Sequence, residues 1–381
     1  MTQESREFQI FVKPVGASCN LSCSYCYYLE KQDLYPGSES FRMTDDILEK
    51  YIIQHIEAAT EQVIMFSWHG GEPLLAGLDF FKKVVALQKK HIPSGKRAIN
   101  GIQTNGIPLD DHWCSFLSEE DFMVGISIDG PDDLHNQHRT DQTGKGSLDL
   151  TLRGYELLHR YGITTEILCV LNSLNVKYPL VIYKYFKALD AKYLTFLPLV
   201  EQLPGSPTGV SPDSVPANEF GLFLSRVFDE WVEKDIGRIK VQVFEEAART
   251  AFNQDHTLCI FKMNCGGVPV IERNGDFYSC DHFVDMDHCL GNIKDKSIAD
   301  LLDSDEQKAF GMAKSATLPN YCIECPVRIM CNGECPKNRF IKTPDEQPGL
   351  NYLCSGYKLF FEHCQPFIET LRNVWSSQQN A

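Results

Sequence analysis

From Phe8 to Leu199 the chain alternates short apolar runs with amphipathic stretches. The runs Phe8–Val12, Val63–Trp68, Ala98–Thr104, Met123–Ile128, Thr165–Leu171 and Tyr193–Leu199 have the length and residue types of buried strands. Between the first two, Asp45–Ala59 places Ile47, Leu48, Tyr51, Ile52 and Ile56 at three- and four-residue steps, the period of a helix with one buried face. Thr44 stands where an N-cap belongs. Leu78–His91, Asp110–Ser118, Leu148–Tyr161 and Tyr178–Leu189 repeat the helical pattern. Six βα units in series predict an α/β fold with a parallel sheet and right-handed crossovers. The pattern fits an open doubly wound sheet and a partial barrel equally well.

Leu203–Pro216, with four prolines and two glycines, reads as a loop, and an amphipathic helix over Phe220–Glu233 follows it. From about Arg238 cysteines become dense, which divides the chain into residues 1–237 and 238–381. No internal repeat beyond the βα alternation is visible.

The unusual residues fall where strands end. CNLSCSYC follows the first strand and HGGEP (His69–Pro73) the second, while Gln103–Gly106 ends the third and Ser127–Pro131 the fourth. All of these are carboxyl ends, where α/β sheets and barrels build their sites. Cys19, Cys23 and Cys26 are spaced C-x3-C-x2-C and offer three thiolates from one loop. Iron–sulfur cubanes normally take four, so three would leave one iron open to a ligand from outside the chain. A zinc loop and a disulfide set are the alternatives. Gly70 and Gly71 lack Cβ and let the backbone come close to a ligand.

Composition narrows these choices. The 381 residues are 43% hydrophobic and 23% charged, ordinary for a globular chain with two or three domains. The segment MTQESREFQIF has no basic region followed by an apolar core, and no apolar run is long enough to cross a bilayer. Fifteen cysteines without an export signal read as metal ligands, in a cytoplasmic protein and by default a monomer. The net charge of −15 argues against nucleic acid and suits either a cationic substrate or plain solubility.

The C-terminal third carries a second cysteine set. Cys259 and Cys265 precede VPVIERNGDFYSC, which ends at Cys280 and has a hairpin signal at Asn274-Gly275. Cys322, Cys325, Cys331 and Cys335 follow as C-x2-C-x5-C-x3-C, with Cys354 beyond. These eight thiols suffice for two fully ligated cubanes, suited to passing electrons, with structural zinc as the alternative. Cys114, Cys169, Cys289 and Cys364 are left over and read as structural.

The triplet, followed by HGGEP after the next strand, resembles the radical S-adenosylmethionine (SAM) enzymes, and the second cysteine set resembles the SPASM domain found behind many of them. The strings FVKPVGASCNLSCSYCYYLEK, SWHGGEPLL, SIDGP, NGDFYSCDHF and CNGECPKNRF are similar, more narrowly, to the anaerobic sulfatase-maturating enzymes. This resemblance runs from Phe8 to about Phe361. It implies a partial (β/α)6 barrel of radical SAM type with a C-terminal SPASM domain, SAM as cofactor, and three [4Fe-4S] clusters. Cys19, Cys23 and Cys26 would hold the SAM-binding cluster. Cys259, Cys265, Cys280 and Cys335 would hold one auxiliary cluster, and Cys322, Cys325, Cys331 and Cys354 the other. Gly70, Gly71 and Glu72 would bind the SAM amino group through the backbone. Tyr25 would pack near adenine, and Ser127 and Arg139 would hold the ribose and carboxylate.

The implied reaction oxidises a cysteine or serine of an unfolded sulfatase polypeptide, within Cys/Ser-x-Pro/Ala-x-Arg, to Cα-formylglycine. A 5′-deoxyadenosyl radical removes a Cβ hydrogen, a base takes the thiol or hydroxyl proton, and the second electron leaves through the auxiliary clusters. A low-potential donor such as flavodoxin or ferredoxin would supply the first electron. The resemblance assigns Asp281 as the base, a role that favours a pKa raised by partial burial. Tyr28 is a further candidate for lining the substrate channel, while Lys337 and Arg339 read as covering a solvated edge. The nearest rival is a SPASM enzyme forming thioether or carbon–carbon crosslinks in a ribosomal peptide. Such enzymes often carry a leader-binding domain, for which a first strand at residue 8 leaves no room. A non-catalytic electron carrier and a zinc adaptor are more distant readings.

Overall fold

The computed structural model describes residues 7–35, 41–206 and 208–379. Six strands alternate with helices as the hydrophobic pattern predicts: β1 (Phe11–Lys13), β2 (Val63–Trp68), β3 (Arg97–Thr104), β4 (Met123–Ser127), β5 (Thr165–Leu171) and β6 (Tyr193–Pro198). The intervening helices Asp45–Ala58, Leu78–His91, Asp111–Glu119, Leu148–Arg160 and Pro179–Ala188 end within one residue of their periodic stretches. Thr44 is the N-cap of the first, but its side chain makes no capping hydrogen bond. Asp45 and Asp46 in the first turn complement the helix dipole instead.

Two compact units form. One joins Met1–Ser127, Asn136–Thr165 and Gly266–Gly311, and the other joins Ile128–His135, Glu166–Cys265 and Met312–Ala381. In the first unit β1 to β4 are parallel, with Phe11 opposite Ser67, Met65 opposite Ile99 and Thr104 opposite Ile126. The other edge of β1 is covered from the distant C-terminal third. There β8 (Val270–Glu272) runs parallel to it, setting Lys13 opposite Glu272. A hairpin turned at Asn274-Gly275, with Gly275 at φ 92°, continues into antiparallel β9 (Asp276–Tyr278), and β10 (Cys289–Asn292) pairs with β9. Beneath β2, Trp68 packs edge-on against Tyr51, Phe80 and Phe81.

In the second unit β5 and β6 are parallel from Glu166 opposite Tyr193 to Leu171 opposite Pro198, and β7 (Lys240–Val241) extends β6. Helix Ala217–Lys234 lies along helix Cys354–Gln379, and two glycines set their separation. A Cβ on Gly221 would stand 2.4 Å from the Gly356 oxygen, and one on Gly356 would stand 2.0 Å from the Ala217 oxygen. Phe228 then packs edge-on against Phe360 and Phe367. Cys114, Cys169 and Cys364 are fully buried, as expected of small apolar residues. Among the described residues no helix is long and apolar enough to cross a membrane.

Candidate active site

In the first unit, the loop after β1 carries Cys19, Cys23 and Cys26. The segment after β2 lies directly on it: the Gly71 N–H donates to the Gly16 oxygen at 2.8 Å and the Glu72 N–H to the Ser18 oxygen at 2.9 Å. A Cβ on Gly71 would be 2.1 Å from the Ser18 oxygen. On Gly70, whose φ is +125°, it would be 2.7 Å from the Gly16 oxygen. The sequence predicts glycines that admit a ligand; in the structure they admit the backbone of the cysteine loop.

Glu72 locks this contact from inside. Its fully buried carboxylate accepts from the Leu74 N–H at 3.0 Å, the Thr104 hydroxyl at 2.8 Å and the Asn105 N–H at 2.8 Å. Burial pushes its pKa up to about 7, against the pull of those three donors. The side chain is therefore committed to the fold.

Burial pushes the Cys19 thiol up to about 12, the Leu21 N–H opposes this at 3.4 Å from Sγ, and Glu72, Cys23 and Cys26 add to it. The three thiols thus stand within electrostatic reach of one another, and burial keeps Cys19 protonated until a metal displaces its proton. They fit three corners of a cubane. Asn105, which the motif reading passes over, reaches the same thiol: its Nδ2 donates to Asn20 Oδ1 at 2.7 Å and lies 3.8 Å from Cys19 Sγ. Its signal in the sequence is its place at the end of the third strand.

Residues 138–140 run beside the loop, with the Ser22 N–H on the Thr140 oxygen and the Ser24 N–H on the His138 oxygen. Ser24 Oγ also meets His138 Nδ1 at 2.8 Å. This brings Tyr25 and Arg139 together, the guanidinium 5.5 Å from the ring centroid and the His138 ring at the same distance. Ser127 closes β4 and accepts from Gln103 Nε2 at 3.0 Å, so it joins the site through β3.

Asp281 is turned inward, 8% exposed. Lys13 Nζ lies 2.5 Å from Oδ1, an ion pair without the alignment of a hydrogen bond, and the Tyr27 hydroxyl donates to Oδ2 at 2.5 Å. The Lys13 ammonium also lies 4.4 Å from the centroid of the Tyr28 ring. Burial raises the Asp281 pKa, as the sequence reading requires. The Lys13 charge outweighs it and holds the carboxyl well below the ordinary range. His69 is itself pushed down to about 3 by burial and by Lys13, so its ring, stacked 4.3 Å from Phe11, is neutral. Of the adjacent tyrosines it is Tyr27 that faces open space, 45% exposed through its ring with the hydroxyl turned inward. Tyr28, expected in the substrate channel, is 2% exposed and donates to Glu272.

The second unit gathers Cys322, Cys325, Cys331 and Cys354. The charges of Cys322 and Cys325 act on Cys354, and those of Cys354 and Cys322 act on Cys331. These four are the set that the resemblance assigns to one auxiliary cluster. Cys259 and Cys265 both act on Lys314. Arg339 does not cover a solvated edge. Its guanidinium donates to the carbonyls of Gly333, Lys314, Asn332 and Glu334, clamping a turn whose residues 332–334 have φ of 47°, 73° and 51°. The forked guanidinium, with donors on three nitrogens, collects the three carbonyls of this left-handed turn together with that of Lys314.

The radical SAM superfamily matches residues 14–184, and the SPASM iron–sulfur cluster-binding domain matches residues 263–326. A serine-type anaerobic sulfatase-maturating enzyme of Bacteroides thetaiotaomicron is 40% identical over 98% of this chain and 94% of its own length. A cysteine-type enzyme of Clostridium perfringens is 33% identical over 96% and 98%. The solved structure of anSMEcpe superposes with a TM-score of 0.87 in its AdoMet-bound form and 0.86 with AdoMet and the Cp18Cys peptide, at 32% identity over 96% of this chain and 99% of that one. The βα repeats and the order of motifs define a radical SAM enzyme, its six parallel strands those of the partial (β/α)6 barrel, with a C-terminal SPASM domain. Its kinship is closer still. The chain belongs to the anaerobic sulfatase-maturating enzymes.

Proposed function

We propose that this protein oxidises a cysteine or serine side chain in a sulfatase polypeptide to Cα-formylglycine. The observation that carries the reading is the 40% identity, over nearly the full length of both chains, to an enzyme named for sulfatase maturation. This kinship favours sulfatase maturation over peptide crosslinking. Residues 1–237 form the radical SAM domain and residues 238–381 the SPASM domain. Bound SAM and three [4Fe-4S] clusters, each on the cysteine set given above, supply a 5′-deoxyadenosyl radical for hydrogen abstraction and a route for two electrons.

The chain's own residues do the rest. Tyr25, Ser127 and Arg139, with the backbone of Gly70, Gly71 and Glu72, position SAM beside the cysteine loop. Asp281 takes the proton from the target thiol or hydroxyl. Its low basicity suits that step, because losing the Cβ hydrogen strongly acidifies the remaining S–H or O–H, and a carboxylate already ionised is ready to receive. The Tyr27 hydroxyl and Lys13 ammonium hold the carboxylate in place. The substrate is an unfolded segment bearing Cys/Ser-x-Pro/Ala-x-Arg, the electron donor a low-potential flavodoxin or ferredoxin, the setting the cytoplasm, and the working unit a monomer.

The test is mass spectrometry on an anaerobic reaction of reconstituted protein, SAM, a strong reductant and paired peptides bearing Cys-x-Pro-x-Arg or Ser-x-Pro-x-Arg. An aldehyde that traps with a hydrazine is the expected result, and comparing the peptides fixes the target residue. If 5′-deoxyadenosine forms while both peptides stay unchanged, sulfatase maturation is wrong and a ribosomal-peptide substrate takes its place.

A further inference from the structure

Lys314 is a buried lysine, 1% exposed, that the proposed reaction does not use. Its ammonium donates to the carbonyl oxygens of Cys259 at 2.9 Å and Ile260 at 2.7 Å. Carbonyls solvate an ammonium without neutralising it, and a buried charge left unneutralised is costly. The sulfurs of Cys265 and Cys259 lie within electrostatic reach of this ammonium. Glu334 also faces Lys314, but that carboxylate is engaged by the Nδ2 groups of Asn338 and Asn351. Arg339 acts on Cys265 and on Cys322 alike, so it does not distinguish the two cysteine sets.

We propose that Lys314 is an electrostatic positioning residue that raises the reduction potential of the auxiliary cluster held by Cys259 and Cys265. This rests on the cluster assignment proposed above. An iron–sulfur cluster gains one negative charge on reduction, and a fixed cation beside its sulfurs stabilises the reduced state. Lys314 touches the Cys259 backbone, whereas the cations that act on the other set, besides Arg339, are Arg328 on Cys322 and Lys358 on Cys354. With this charge beside it, the cluster on Cys259 and Cys265 accepts an electron more readily than it would without Lys314, which suits it to take the second electron from the substrate.

The experiment is a potentiometric titration, followed by electron paramagnetic resonance, of the full chain reconstituted with its iron. Lys314→Gln keeps a donor for the carbonyls without the charge, and Lys314→Arg keeps the charge. In Lys314→Gln one auxiliary couple should move to more negative potential while the other couples stay in place, and Lys314→Arg should restore it. An unmoved potential in Lys314→Gln at full iron content overturns the proposal, as does an equal shift of both auxiliary couples. Should Lys314→Gln lose iron, Lys314→Met and Lys314→Arg are compared at matched iron content with the same criteria. No sulfatase peptide enters the measurement, so its outcome is separate from whether aldehyde is formed.

Discussion

Lys13, the last residue of β1, and Asp281, the residue after Cys280, form an ion pair of 2.5 Å with side chains 1% and 11% exposed. Removing either partner leaves the other charged and buried, which costs about 3–5 kcal/mol in such pairs. Lys13→Met and Asp281→Asn should each lower unfolding stability by about that amount. The double variant should lose clearly less than the sum, because neither charge is then stranded. Urea or thermal unfolding of all four proteins at matched iron content reads this, and strict additivity would mean the pair is not coupled.

Asp281→Asn also separates the proton-transfer role from the radical one. The SAM contacts proposed above are Tyr25, Ser127, Arg139 and the Gly70–Glu72 backbone, none of them Asp281, so 5′-deoxyadenosine formation should persist. Formylglycine should fall by roughly 10²–10⁴-fold, the usual contribution of a positioned base. Both products can be counted in one reaction by mass spectrometry. Undiminished aldehyde would remove Asp281 from the chemistry.

The fold was legible where a period was long enough to read. Val63–Trp68 and Leu78–His91 have the bounds their patterns predict, because a six-residue apolar run and a fourteen-residue helical stripe are long enough to read. Spacing singled out the cysteines, and the resemblance, not the spacing, divides the C-terminal ones between two clusters. Lys13 was not legible, because a lysine ending a strand ordinarily reads as solvent-facing; its burial depends on β8 pairing with β1 from the far end of the chain, and the hairpin signal at Asn274-Gly275 does not say which strand β8 joins. For the same reason the low pKa of Asp281 was out of reach. Arg339 was misread because its acceptors are carbonyls of a left-handed turn, and no side-chain pattern marks those.

Gly71→Ala tests whether the glycines serve the chain or a ligand. Its Cβ would stand 2.1 Å from the Ser18 oxygen and 2.6 Å from the Ala17 oxygen, both backbone, so no rotamer change relieves it. The cysteine loop must shift, at a cost of about 1–3 kcal/mol in overpacked sites. The expected signature is poor iron incorporation at Cys19, Cys23 and Cys26, roughly four irons fewer of about twelve. Full iron loading with only SAM binding weakened would show that the glycines make room for a ligand instead.

Glu72 gives the fold a measurable pH dependence. Its folded pKa is raised from 4.5 to about 7, chiefly by burial. Between those values the unfolded chain has lost the proton and the folded chain keeps it. The unfolded state binds fewer protons, so stability falls as pH rises, by up to about 3 kcal/mol across the window. Glu72→Gln has no proton to lose, although its amide must face donors from Thr104 and Asn105, a fixed penalty at every pH. The native protein should therefore be the more stable by a margin that shrinks by up to about 3 kcal/mol from pH 4.5 to 8. Unfolding measured for both proteins across that range reads the margin directly. A margin independent of pH would mean that the buried carboxylate is already ionised, its charge carried by the three donors around it.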